Sequence, residues 1–282
     1  MLKVKNLCKN YPGFKLKNVS FEIPTGVIVG FIGQNGAGKT TTLKCIMQSV
    51  LPDEGEITVL GKNIKQNETE CKQLISFSSG TFEYYRNKKL RLIADVYKTF
   101  FDNWNQTDFE GYIARFNLDL TKRVKELSAG MKVKFALSLA MSHNAKLFIF
   151  DEPTSGLDPI ARDELLDVFR DIVEEGDKSI LFSTHITGDL DKCADYILFI
   201  KDGQIILNSG KDELLDSHAL IKGATDELTE DLTSRLIGCK RHQFGYTALI
   251  RRKDINQSDI FTKEKPTLDD IMIYYSKENS ND

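Results

Sequence analysis

The residues GQNGAGKT, Gly33–Thr40, are the most informative part of this sequence. It fits the pattern G-x-x-x-x-G-K-S/T at every position, which is the pattern of a loop that binds phosphate groups. An apolar run, Val27–Ile32, precedes the stretch, and the residue pattern of Lys39–Gln48 suits a helix after it. A phosphate-binding loop requires this order of strand, loop and helix. The sequence therefore predicts an α/β fold with a phosphate site.

The residue types of this loop suit phosphate and metal binding. Glycines allow the backbone to wrap closely around phosphate oxygens, with its N–H groups pointing inward. The helix that follows adds the positive end of its dipole. We expect the Lys39 ammonium to reach the β- and γ-phosphates, and the Thr40 hydroxyl to bind Mg²⁺.

A second apolar strand, Leu147–Phe150, ends in two acidic residues, Asp151 and Glu152. A strand of this kind delivers a carboxylate at the carboxyl edge of the sheet, beside the phosphate-binding loop. We expect Asp151 to hold Mg²⁺, mostly through water, and Glu152 to act as the general base on the attacking water. The alternative is a strand end capped by two solvated acids.

The rest of the chain divides into two parts. From Ser128 to Ile200, predicted helices alternate with short apolar strands, as in a parallel sheet covered on both faces. Aromatic residues at helical spacing between Lys88 and Lys125 predict a helical, mostly buried segment. After Ser217 the alternation of predicted helices and apolar strands stops. Residues 218–282 predict a small appended domain with a strand at Tyr246–Arg251 and a helix at Leu268–Ser276.

Composition limits the classes of function. The chain has 282 residues, with 38 Lys and Arg against 41 Asp and Glu, and a net charge of −3. This balance argues against a general affinity for nucleic acid. No apolar run approaches the roughly 20 residues of a membrane span. The five cysteines are scattered without a Cys-x-x-Cys pair, which favours reduced thiols and a cytoplasmic location.

Further motifs make the chain resemble the ABC-type ATPases over about residues 1–217. Leu127–Met131 resembles the signature motif of that family, which usually has the sequence Leu-Ser-Gly-Gly-Gln. Ser155–Asp158 is similar to its D-loop, and His185 to its switch histidine. Tyr11 occupies the place of its adenine-stacking aromatic residue, although a tyrosine beside Pro12 could instead pack the turn.

This resemblance implies a P-loop NTPase of ABC type, with a mixed sheet, an antiparallel β subdomain and a helical subdomain at about 82–143. Residues 218–282 would form a small C-terminal α+β extension. In the family, two ATPase subunits bind ATP between them, head to tail. Ser128 and Gly130 would then touch the γ-phosphate held by the opposite subunit, and His185 would touch it in cis. The residues expected to bind ATP are Tyr11, Gly33, Gln34, Asn35, Gly36, Ala37, Gly38, Lys39, Thr40, Thr41, Asp151, Ser128, Gly130 and Asp158.

The chain departs from the family pattern at two places. The Q-loop glutamine should follow the strand at Leu74–Ser78, but no glutamine is there. Ser79, Thr81, Glu83 or water could replace it, whereas Gln73 precedes the strand and is a poor substitute. In the signature motif, alanine replaces the first glycine and methionine replaces the glutamine. We nevertheless expect an active ATPase.

The resemblance also implies what the ATPase drives. We expect a dimer of identical or different ATPase subunits, bound at the inner face of the cell membrane to a separate multi-span subunit, and no nucleic acid partner. Phe82–Trp104 corresponds to the segment through which members of the family bind the membrane subunit, so we expect an exposed apolar groove there. The pattern is similar to exporters of drugs or amphipathic and antimicrobial peptides, and Pro266–Ile271 resembles a tail element of such subunits. The alternatives are a soluble ABC ATPase outside transport, for example in cluster assembly, and an ATP-gated sensor without rapid hydrolysis.

Overall fold

A computed structural model of the protein describes residues 1–79, 85–257 and 259–277. Its internal contacts divide the chain into two compact units, Met1–Asn208 and Ser209–Asp282. The division falls earlier than the boundary predicted after residue 217. The reason is the helix Lys211–Asp216, which packs against the strand His218–Gly223 of the second unit.

The first unit contains both strands and helices. In chain order they are β1 (Leu2–Tyr11), β2 (Phe14–Ile23), β3 (Ile28–Ile32), α1 (Lys39–Ile46), β4 (Glu54–Val59), β5 (Lys62–Asn63), α2 (Glu68–Gln73), β6 (Ile75–Ser78), α3 (Leu90–Tyr97), α4 (Gln106–Arg115), α5 (Ala129–Ser142), β7 (Leu147–Asp151), α6 (Pro159–Val173), β8 (Ser179–Thr184), α7 (Thr187–Cys193), β9 (Tyr196–Lys201) and β10 (Gln204–Gly210), which ends across the division.

The main sheet of this unit has the strand order β10-β9-β3-β8-β7-β6, with β9, β3, β8, β7 and β6 parallel. Every residue of β3, β7 and β8 is buried, as expected for central strands covered on both faces. Asp151 pairs with Ser183, and Ile32 pairs with Thr184. The carboxyl ends of β3, β7 and β8 therefore meet at one edge of the sheet, where the functional site forms.

Two further regions complete the unit. A second, antiparallel sheet has the strand order β2-β1-β4-β5. The segment predicted as helical between Lys88 and Lys125 is interrupted: α3 continues as a short 3₁₀ helix, Lys98–Phe100, and α4 starts only after Asn105. Asn105 ends the irregular stretch because its side chain accepts a hydrogen bond from the backbone N–H of Asp108 at 3.2 Å, which caps α4.

Aromatic residues of this segment pack around a buried histidine. The Phe101 ring stacks on the His143 ring, with centroids 3.8 Å apart, and the Tyr97 hydroxyl lies 3.4 Å from His143 Nε2. Trp104 packs edge-on against Tyr97 at 6.2 Å and against Phe109 at 5.1 Å. The prediction of a mostly buried aromatic segment holds for Phe109, whereas Phe100 is 67% exposed.

Burial of His143 leads to a testable dependence of stability on pH. Desolvation lowers the pKa of this imidazole from 6.5 to about 4. Between these two pH values the imidazole is protonated in the unfolded chain but not in the folded chain. The free energy of unfolding therefore decreases as the pH falls from about 6.5 to about 4, by at most about 3 kcal/mol. Phe at this position would keep the stacked ring and remove the titration.

We therefore expect His143→Phe to lose less stability than wild type between neutral pH and about pH 5. Urea unfolding followed by the emission of Trp104 measures this difference, because Trp104 is the one tryptophan of the sequence and lies in the same cluster. His242→Phe, at an exposed position, is the control and should keep the wild-type pH profile. Equal acid sensitivity of wild type and His143→Phe would contradict the assignment.

The second unit combines helices with an antiparallel sheet. Its elements are α8 (Lys211–Asp216), β11 (His218–Gly223), α9 (Glu230–Arg235), β12 (Leu236–His242), β13 (Gly245–Arg251), β14 (Thr262–Glu264) and α10 (Leu268–Lys277). The strand order is β12-β13-β11-β14. Arg235 makes two hydrogen bonds to Asp259, both 2.8 Å long, which lower the pKa of that carboxyl. The architecture is the small α+β extension that the sequence predicts.

Among the described residues, no helix is both long and apolar enough to span a bilayer.

Candidate active site

The phosphate-binding loop connects β3 to α1 with a backbone that requires glycine. Gly38 has a φ of +114° and precedes the first residue of α1. A Cβ atom on Gly33 would lie 2.5 Å from the carbonyl oxygen of Ile200, so a side chain there would collide with backbone. Gln34, Asn35 and Gly36 are exposed at the tip of the loop. The predicted loop therefore presents its backbone to solvent at the start of a helix.

The other loop residues line its base. Ala37 is buried, and its backbone N–H donates to the carbonyl of Gln34 at 3.1 Å. Lys39 is only 6% exposed, and its Nζ donates to the carbonyl oxygens of Gly33 at 2.7 Å and Gln34 at 3.4 Å. Thr41 is half-buried on α1.

Asp151 is held at both carboxylate oxygens. Thr40 Oγ1 donates to Asp151 Oδ2 at 2.7 Å, and Ser183 Oγ donates to Asp151 Oδ1 at 2.6 Å. The pair Thr40 and Asp151 thus places a hydroxyl oxygen beside a carboxylate oxygen, and oxygen donors of this kind are the ligands that Mg²⁺ prefers. The donor set therefore fits the predicted metal.

Glu152 follows the end of β7 in an unusual backbone conformation. Its φ is +52°, in the left-handed region. The Glu152 N–H donates to Ser183 Oγ at 2.9 Å and to the Ser183 carbonyl oxygen at 3.2 Å. This arrangement turns the Glu152 side chain toward Lys39 Nζ, 3.5 Å from Oε1, and toward His185 Nδ1, 2.9 Å from Oε2. Lys39, Glu152 and His185 are thus brought together, although they are far apart in sequence.

Ser183 is a functional residue that the sequence reasoning missed. It is completely buried, and its hydroxyl bonds both Asp151 and the backbone of Glu152. A serine directly after the apolar run Ile180–Phe182, two residues before His185, was a usable signal. Its partners could not be read from one sequence, because they depend on the register between β7 and β8.

We expect Ser183→Ala to lower the ATP turnover number about tenfold with little change in KM, because one lost hydrogen bond to an ionised group is worth about 1.5–3 kcal/mol. Steady-state phosphate release measures both constants. Ser183→Thr retains a hydroxyl and should recover most of the turnover. Ser179→Ala is the control, since this serine on the same strand bonds the Pro24 carbonyl instead. Wild-type turnover in Ser183→Ala would refute the positioning role.

The predicted signature and D-loop residues cap helices. Ser128 is exposed and accepts a hydrogen bond from the Met131 N–H at 3.3 Å, which caps α5. Asp158 caps α6 by accepting hydrogen bonds from the backbone N–H groups of Ile160 and Ala161, both at 3.0 Å. Gly130 is half-buried, and a Cβ atom at this position would lie 3.4 Å from the Cβ of Ala161. These side chains bond their own helix ends rather than the phosphate loop, and their contact with ATP stays a prediction.

Tyr11 lies at the end of β1, opposite Phe14 in the β1–β2 hairpin. It is 40% exposed, and Lys9 Nζ lies 5.8 Å from the centroid of its ring. The ring is accessible, which stacking on adenine requires, and this role also stays a prediction.

The position of the missing Q-loop glutamine is described only in part. Ser79 is exposed after β6, whereas Thr81 and Glu83 lie outside the described residues. Gln73 does not replace the glutamine at the metal site. Its side chain bonds instead to the backbone of Phe100 and Asp102, at 2.6 and 3.1 Å.

An apolar groove of about 250 Å³ lies along α3, within the predicted segment Phe82–Trp104. Phe82 itself lies outside the described residues. Four large hydrophobic side chains of the groove are strongly exposed: Tyr85 at 57%, Leu92 at 48%, Val96 at 51% and Phe100 at 67%. The groove is lined by Tyr85, Lys88, Leu92, Ile93, Val96, Tyr97 and Phe100. We refer to these residues as the α3 groove.

The sequence is similar to a known protein family and to several of its members. A family model described as ABC transporter matches residues 16–155. The chain is 30% identical over 269 residues to the ABC transporter ATP-binding protein YtrB of Bacillus subtilis (strain 168), a match that covers 94% of this chain and 92% of that protein. It is 29% identical over 209 residues to the bacitracin transport ATP-binding protein BcrA of Bacillus licheniformis, covering 73% of this chain and 68% of that protein.

Solved structures have the same fold. One described as the ATP-binding subunit of an ABC transporter has a TM-score of 0.69 and 26% identity, and covers 77% of this chain and 92% of that chain. A dimeric ATP-binding cassette in a post-hydrolysis state, bound to ADP and Pi, has a TM-score of 0.66 and 21% identity, and covers 74% of this chain and 98% of that chain.

Proposed function

Since the chain belongs to the ATP-binding proteins of ABC transporters and is an ATPase of that family, we propose that Glu152 is the general base of its ATP hydrolysis. The observation that carries this proposal is the meeting of Glu152 with Lys39 and His185, at 3.5 and 2.9 Å. A carboxylate between an ammonium expected to bind phosphate and an imidazole supports this role, because a general base must lie within hydrogen-bond reach of the water that attacks the γ-phosphate.

In the reaction proposed, Glu152 takes a proton from the water as its oxygen bonds to the γ-phosphorus. The bond from that phosphorus to the bridging oxygen of ADP breaks, and ADP and phosphate leave. Lys39 neutralises charge on the β- and γ-phosphates, and His185 donates a hydrogen bond to a γ-phosphate oxygen. Mg²⁺, held by Thr40 and Asp151, would supply charge neutralisation at the same phosphates.

We also propose that a second ATPase subunit completes each ATP site, head to tail. Ser128 and Gly130 lie at the N-terminus of α5, where the helix dipole favours a negative γ-phosphate. Ser128 and Asp158 accept hydrogen bonds from their own helix ends, and these bonds do not involve the phosphate-binding loop of the same chain. A partner subunit would present its own copies of these residues.

The α3 groove is the proposed docking site for a separate multi-span membrane subunit, which would hold this chain at the inner face of the membrane. The exposed apolar side chains of the groove suit an apolar helix of a partner. We propose an exporter of drugs or amphipathic peptides, and the bacitracin transport name of a relative supports this substrate class.

Membrane fractionation of the source cells tests the docking site. We expect the wild-type chain to sediment with membranes and Phe100→Asp to remain in the supernatant, because a charge in an apolar interface is costly to bury. ATP turnover of the isolated variant should equal that of the wild type, since Phe100 lies outside the catalytic residues.

Phe244→Asp is the matched control for this experiment, because Phe244 is 86% exposed and lies in the second unit. This variant should sediment as the wild type does. A wild-type chain that hydrolyses ATP but never sediments with membranes would favour the soluble ABC ATPase. A chain that binds ATP without turnover would favour the ATP-gated sensor.

A further inference from the structure

The stretch between α3 and α4 is tied to α2 by one glutamine side chain. Gln73 is the last residue of α2, which leads into β6 of the main sheet. Its Nε2 donates to the Phe100 carbonyl oxygen at 2.6 Å, and its Oε1 accepts from the Asp102 N–H at 3.1 Å. The Gln73 amide thus bonds one backbone group on each side of Phe101: the carbonyl oxygen of Phe100 and the N–H of Asp102.

The same stretch is tied to the end of α5. The Phe101 ring stacks on His143, the residue that follows α5, at 3.8 Å and an interplanar angle of 22°. The Asn105 N–H donates to the Ser142 carbonyl oxygen at 2.7 Å. His143 is 1% exposed, so the stack is enclosed. Movement of the stretch cannot leave the end of α5 unaffected, because packed interiors transmit displacement.

The α3 groove reaches this contact directly. Tyr97 and Phe100 line the groove, and the Tyr97 hydroxyl lies 3.4 Å from His143 Nε2 on the other side. Ser128 caps the opposite end of α5. A helix of 14 residues is about 21 Å long, so a rigid α5 joins the groove to the signature serine.

We propose that Gln73, Phe101 and His143 form a joint that couples the α3 groove to Ser128. The three are positioning residues: none is among the residues expected to bind ATP, and they set the placement of α5 relative to the docked partner. This inference rests on the proposed function, in which Ser128 meets an ATP held by a second subunit. In this proposal, Gln73 links the main sheet to the α3 groove. The chain lacks the Q-loop glutamine of the family.

Trp104 provides a direct probe of the joint. It is the one tryptophan of the sequence and packs edge-on against Tyr97. If the joint moves together with α5, then formation of the ATP-bound dimer changes the surroundings of the Trp104 indole. The test uses the full chain with Glu152→Gln, which we expect to bind ATP without hydrolysing it. Trp104 emission is recorded during titration with ATP and Mg²⁺, and size-exclusion chromatography reports the dimer.

The expected result is an ATP-dependent change of Trp104 emission that Gln73→Met and His143→Ala reduce by at least about half, with ATP affinity and dimer formation retained. Gln73→Met keeps the side-chain length and removes both hydrogen bonds. His143→Phe keeps the stack and should keep most of the response. Gln66→Met, at an exposed position, is the control.

Two outcomes separate the inference from the proposed function. A parent chain that dimerises with ATP while Trp104 emission stays constant overturns the joint and leaves the proposed function standing. A full emission response in Gln73→Met and His143→Ala overturns the joint as well. A parent chain that binds ATP but forms no dimer overturns the head-to-tail site, and the joint with it.

Discussion

Glu152→Gln is expected to lower ATP turnover by about 10²–10⁴-fold while ATP still binds, because general-base catalysis contributes about that much. An amide has nearly the same shape as the carboxylate but cannot take the proton of the attacking water. The two neighbours of the carboxylate, Lys39 and His185, remain in place to bind phosphate. The variant should therefore accumulate as an ATP-bound dimer.

Phosphate release gives the turnover of this variant, and light scattering with and without ATP gives its mass. Glu174→Gln is the control, since Glu174 is exposed at the end of α6 and is not one of the predicted site residues. The control should hydrolyse ATP at the wild-type rate. Unchanged turnover in Glu152→Gln would remove the general-base assignment.

Lys39→Ala is expected to weaken ATP binding about 100-fold, because a charge-assisted hydrogen bond to phosphate is worth about 1.5–3 kcal/mol. Lys39 is the lysine of the loop, and its Nζ now bonds the loop carbonyls of Gly33 and Gln34. Without the ammonium, those carbonyl oxygens face the phosphates with no cation between them.

Titration with a fluorescent ATP analogue measures this loss. Lys44→Ala is the matched control, because Lys44 lies exposed on the same helix, near its C-terminal end. It removes the same charge from α1 without touching the loop. Equal affinities of the two variants would show that the ammonium of Lys39 adds nothing specific to phosphate binding.

The main sheet and the centre of the site were predictable from sequence for a physical reason. Parallel strands place their carboxyl ends at one edge, so an acidic pair after β7 and a histidine after β8 had to meet near the loop after β3. The contact of Glu152 with His185 at 2.9 Å follows from that geometry.

The contacts that the sequence could not reveal join residues distant along the chain. Apolar periodicity in residues 88–125 predicts helix throughout, and gives no sign that Gln73 fixes the stretch after Phe100. The role of Ser183 depends on strand register, and the early end of the first unit depends on how the helix Lys211–Asp216 packs. Local sequence patterns contain none of this information.

The left-handed backbone at Glu152 affects which substitutions at this position would stabilise the protein. At a φ of +52° a residue with a side chain costs about 1 kcal/mol or more, and glycine would relieve this strain. Thermal stability alone would therefore favour glycine at the position of the proposed general base. If Glu152 has that role, the chain gives up stability at its catalytic residue, and a search for more heat-resistant variants would select inactive ones at this position.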